Sequence, residues 1–100
     1  MKKLFAILLL LIPVAAIAQD ARTVIQKGRR FSPTEVSINR GGSLTFTNND
    51  EFIHQVYVQD LFDTEERLPG QNITEDFPRT GTFEVRCHIH PKMKLVVRVN

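Results

Sequence analysis

No disulfide can staple this chain from within, because its 100 residues include a single cysteine, Cys87. Methionine is as scarce: apart from the initiator there is only Met93. The chain also lacks a dominant charge. Once Lys2 and Lys3 are set aside, the remaining basic residues equal the 11 acidic ones. A near-neutral domain gives no support to nucleic-acid binding. Repeats, low-complexity tracts and linkers are missing, and no segment beyond the N-terminus carries a helical period. These absences exclude a disulfide scaffold, a solenoid and a helical bundle.

One long apolar run is present, at the N-terminus. Lys2 and Lys3 precede Leu4–Ile12, and Ala16 and Ala18 give a small-residue end. This pattern reads as a secretory signal peptide over residues 1–18, cleaved after Ala18. The alternative is an uncleaved anchor, although the run is short for a full span. Removal leaves one small domain, residues 19–100, with a periplasmic or secreted location. Such a domain buries a modest fraction of its surface and gains from a staple. A lone cysteine in an exported protein needs an explanation, and a bound metal provides one.

The rest of the domain alternates. In "SLTFTN" Leu44 and Phe46 share one face, with Thr45 and Thr47 opposite. "HQVYV" groups His54, Val56 and Val58, leaving Tyr57 on the other side. "TFEVRC" groups Phe83, Val85 and Cys87, and "KLVVRV" groups Leu95, Val97 and Val99. "TVIQ" and "FSPTEVSIN" are further extended candidates, and Gly41-Gly42 marks a turn. Short strands separated by turn residues predict an all-β fold, a small antiparallel Greek-key β-sandwich. Asp60–Pro69 reads as a polar connection with room for a helical turn. Asn72-Ile-Thr matches a glycosylation acceptor by chance only, given the bacterial style of the leader.

The scarce residues cluster in "CHIHPKM", Cys87–Met93. Cys87 points inward at a strand end, by its alternation with Phe83 and Val85. His90 and Met93 follow at three-residue intervals, and His54 begins another inward-facing strand. If those two strands are neighbours, the four side chains meet at one pole. Two imidazoles, a thiolate and a weak thioether form the ligand set of a blue-copper electron-transfer site. These donors exclude calcium and magnesium, and zinc gains little from a thioether. His88 alternates away from Cys87, onto the face of Arg86, and is expected to be exposed and not a ligand.

With "GGSLTFTNNDEFIH" and "GTFEVRCHIHPKM" on the page, the chain resembles the cupredoxins, most of all the plastocyanin–amicyanin–pseudoazurin group. The Cys-x-x-His-x-x-Met spacing, with Pro91 after His90, is similar to the short ligand loop of amicyanins. The resemblance implies one type-1 copper, cycling between Cu(I) and Cu(II). It makes His54 and His90 equatorial nitrogen ligands, Cys87 the thiolate and Met93 the axial thioether. It places His90 nearest solvent, in an apolar patch where electrons pass. Gln55 stands where many relatives carry Asn, and Ile89 where Pro is frequent. The implied function is electron transport, not enzymatic catalysis, by a monomer serving redox partners such as a dehydrogenase, a cytochrome or an oxidase. Lys92 and Lys94 could form a rim for an acidic partner. The alternative is a periplasmic copper carrier or chaperone that delivers the ion, though one methionine argues against it. A Cys-His nucleophile would need an orienting group and an oxyanion hole that the sequence does not supply.

Overall fold

The computed structural model describes residues 21–100; the leader expected over residues 1–18 lies outside them. Nine strands, and no helix among the described residues, form two sheets. In chain order they are β1 (Ala21–Gln26), β2 (Phe31–Ser32), β3 (Glu35–Ile38), β4 (Ser43–Asn48), β5 (Tyr57–Val58), β6 (Phe62–Asp63), β7 (Asn72–Asp76), β8 (Gly81–Arg86) and β9 (Lys94–Val99). One sheet runs β2-β1-β4-β7, the other β3-β9-β8-β5-β6.

The expected sandwich is present, and each sheet contains one parallel pair in an otherwise antiparallel arrangement. β1 lies parallel to β4, and β3 parallel to β9. Parallel neighbours need a crossover, and the second sheet supplies it. The "FSPTEVSIN" segment divides: Phe31–Ser32 pairs with β1, while Glu35–Ile38 crosses to β9. Gly41, at φ 87°, then turns the chain back into β4, in a left-handed conformation that glycine adopts without steric cost.

Alternation places the core as expected. Leu44, Phe46, Val56, Val85, Leu95 and Val97 are fully buried between the sheets. Phe77, also fully buried, meets Phe62 edge-on with ring centroids 5.5 Å apart. Each such side chain contributes about 1.5–3 kcal/mol of apolar burial. Two segments differ from the sequence reading. Residues 60–69 form no helical turn: Phe62–Asp63 pairs back on β5, and Arg67 makes an isolated bridge with His54. Asn72–Asp76 is an edge strand on β4. Its one strong apolar residue, Ile73, gave no clear alternation.

Sheet register decides where the site forms. Gln26 lies opposite Asn48, so β1 and β4 end together. Arg86 lies opposite Lys94, so Cys87–Met93 is the loop joining β8 to β9. Tyr57 opposite Arg86 brings the His54 segment beside that loop. No helix among the described residues is long and apolar enough to cross a membrane.

Candidate metal centre

Cys87 follows directly on β8 and is fully buried, its sulfur held where strand alternation points it. The turn after it is closed by the Met93 N–H donating to the His90 carbonyl at 2.9 Å. Arg86 braces the loop from outside by donating to the Pro91 carbonyl at 3.0 Å. His54, also fully buried, is pinned through its backbone. Its N–H donates to the Arg67 carbonyl at 3.2 Å, and it accepts from the Arg67 N–H at 2.8 Å.

These elements bring three donor atoms face to face. Cys87 Sγ lies 3.7 Å from His54 Nδ1 and 3.8 Å from His90 Nδ1. The two Nδ1 atoms are 3.2 Å apart. A point about 2.1 Å from all three atoms lies in their plane. Metal–nitrogen and metal–sulfur bonds to first-row ions run to about 2.0–2.3 Å. The triangle therefore has the size of a metal site. Met93 is buried at the end of the same loop.

The hydrogen bonding around the donors favours ligation. His54 Nε2 donates to Asp50 Oδ2 at 2.9 Å, which leaves the Nδ1 lone pair facing the sulfur. A carboxylate behind a ligating imidazole fixes its tautomer and raises its basicity. Burial would raise the Asp50 pKa, but the bond from His54 and the N–H groups of Arg29 and Glu51 outweigh it and hold Asp50 at about 2. His90 is shifted down by burial first, and further by His54 and Arg29, which favours the neutral imidazole. The Gln55 N–H donates to Cys87 Sγ at 3.4 Å, one more contact on the sulfur.

The donor chemistry selects the ion. One soft thiolate, two imidazoles and a thioether in the same loop suit one copper ion, positioned as type-1 ligands are. Around His90 the surface is apolar: Phe52 meets its ring edge-on at 5.9 Å, and Phe52, Ile53 and Ile89 are all exposed. A shallow depression there is lined by Arg29, Ile89, His90, Pro91, Lys92 and Met93.

His88 is exposed and faces away from the triangle, stacked on Tyr57 at 3.8 Å with Nε2 beside the Asp63 carboxylate at 3.0 Å. Sequence reasoning missed the polar residues that organise the site. Asn48 is fully buried and bonds the Phe52 and Arg67 carbonyls at 2.9 Å each, tying the two loops together. Asp50 and Arg67 are buried too, against the ordinary expectation for charged residues. The one available signal was Asp50 four residues before His54.

The family model for the cupredoxin-like domain matches residues 2–97. No curated protein sequence matches the chain. Among solved structures, a purple cupredoxin from Nitrosopumilus maritimus superposes with TM-score 0.74 at 22% identity, covering 79% of this chain and 99% of that one. A reduced variant of amicyanin gives TM-score 0.75 at 22% identity, covering 86% of this chain and 88% of its own. A copper-containing nitrite reductase from Thermus scotoductus SA-01 gives TM-score 0.71 at 29% identity; it covers 78% of this chain, but the match spans only 22% of the reductase.

Proposed function

The chain belongs to the cupredoxin-like family, and from that premise we propose that it is a blue-copper protein carrying single electrons between redox partners. His54, Cys87 and His90 would hold the ion through their nitrogen and sulfur donors, and Met93 would add its thioether from the same loop. Copper bound there supplies a one-electron Cu(I)/Cu(II) couple. The protein contributes rigidity. Strand ends and a short loop fix the donors, so little reorganisation accompanies electron transfer. Residues 1–18 direct export and are removed, and residues 19–100 work in the periplasm or outside the cell. Full burial of Cys87 and His54 suits retention of the ion rather than its handover.

His90 is the half-exposed ligand, and the apolar surface of Phe52, Ile53, Ile89 and Pro91 is where a partner approaches. Arg29, Lys92 and Lys94 flank that surface and favour an acidic partner, mostly through the rate of encounter.

The observation that carries this reading is the triangle of Cys87 Sγ, His54 Nδ1 and His90 Nδ1. Adding Cu(II) to the purified domain should give an intense blue absorption from the thiolate–copper bond, and Cys87→Ser should abolish it. A colourless complex, or alkylation of Cys87 at one rate with and without copper, overturns the reading.

A further inference from the structure

Arg67 is the only lysine or arginine buried among the described residues, at 4% exposure. Its guanidinium lies among neutral oxygens. Nη1 donates to the Phe46 carbonyl at 3.2 Å and Nη2 to Gln26 Oε1 at 2.5 Å, while Nε has no partner. Among the described residues no carboxylate forms a salt bridge with it. A buried cation without a counter-ion is costly, so a fold that keeps one has an offsetting charge nearby or a use for the cost.

The metal centre supplies the use. Arg67 pairs with His54 through two backbone hydrogen bonds. Gln26, which accepts from the guanidinium, reaches the Gln55 carbonyl with its Nε2 at 3.5 Å, and the Gln55 N–H donates to Cys87 Sγ. The cation is thus linked to the ligand sulfur through one side chain and the backbone of Gln55. Burial disfavours the charge on Arg67, and attraction to Cys87 opposes that effect.

We propose that Arg67 is a positioning residue whose buried charge biases the copper couple toward Cu(I). This rests on the electron-carrier reading above. With one thiolate and two neutral imidazoles, the loaded centre carries one net positive charge as Cu(II) and none as Cu(I). A fixed cation in a low-dielectric interior penalises the charged state more. Asp50, on the ring side of His54, acts in the opposite sense. Asp50 bonds the ring of His54, and the main chain of Arg67 bonds its backbone.

The test uses the purified domain and three variants: Arg67→Met and Arg67→Gln, which remove the charge, and Arg67→Lys, which keeps it. Competition against chelators of known affinity reads binding of Cu(I) and of Cu(II) separately. Urea unfolding reads the stability of the metal-free protein. Both neutral variants should lower the ratio of Cu(I) to Cu(II) affinity severalfold and move the potential downward. Arg67→Lys should stay near the parent ratio. Metal-free Arg67→Gln, which can still donate to the buried Phe46 or Gln26 oxygen, should unfold at a urea midpoint close to the parent's, so that its shift in affinity ratio reports the charge and not a loosened fold. An unchanged ratio in the neutral variants, an equal fall in Arg67→Lys, or failure of both neutral variants to fold overturns the proposal. The parent's own colour and Cu(II) binding report separately on the electron-carrier reading.

Discussion

Replacing Asp50 with Asn tests the link between fold and site most directly. The carboxylate collects three N–H donors on two oxygens. His54 Nε2 and the Arg29 N–H reach Oδ2 at 2.9 and 2.7 Å, and the Glu51 N–H reaches Oδ1 at 2.9 Å. These bonds hold Asp50 at about 2, below its ordinary 3.8. That difference corresponds to roughly 2–2.5 kcal/mol in favour of the ionised form. An Asn side chain of the same shape keeps part of this bonding, which reduces the net loss to about 1–2 kcal/mol. Asn offers one accepting oxygen and an amide that meets another donor, so at least one N–H loses its partner. Asp50→Asn should therefore lower metal-free stability by about 1–2 kcal/mol at pH 7. It should also weaken copper binding about 10–100-fold, as loss of a carboxylate behind a ligating histidine does. The pH dependence has a fixed sign. A carboxylate depressed on folding stabilises fully above its unfolded pKa, near 4, and loses that contribution as pH falls through about 2. Urea unfolding of parent and variant from pH 7 to pH 2 should show a constant gap that closes below pH 4. A gap that persists undiminished at pH 2, or none at pH 7, refutes the reasoning.

Other changes probe separate parts of the molecule. Met93→Leu should keep the blue colour and raise the potential, since the thioether is lost while the plane remains; voltammetry giving an unchanged potential would remove Met93 from the ligand set. Phe77→Ala should cost about 3–5 kcal/mol in urea unfolding, because the ring is fully buried against Phe62 and Phe83. A loss below about 1 kcal/mol would mean that the site collapses around the missing ring. Lys92→Glu with Lys94→Glu should slow stopped-flow electron transfer with an acidic partner and flatten its salt dependence, and an unaltered salt dependence would dismiss the basic rim.

Much of the scaffold was readable residue by residue. The faces of Leu44 and Phe46, of His54 and Val56, and of Val85 and Cys87 follow from a period of two, which is local and survives any choice of partner strand. The edge strand Asn72–Asp76 was not readable, because only Ile73 marks its inner face and backbone pairing with β4 does the rest. The segment around Arg67 was hidden for a different reason. A charged residue in a polar stretch is ordinarily solvated, and its burial depends on His54, Phe46 and Gln26, all distant in sequence.

The sequence by itself determined an all-β chain and a set of scarce soft donors, three of them spaced along one loop. Those properties reside in strand period and side-chain chemistry, which need no knowledge of distant contacts. Tertiary structure alone decided that the His54 segment lies beside the Cys87 loop, that β1 and β4 run parallel, and that Asp50 bonds the ring of the buried ligand while Arg67 pairs with its backbone. Strand pairing is a choice among non-local partners, made by the hydrogen bonding and burial of the whole domain, and no short stretch of chain encodes it.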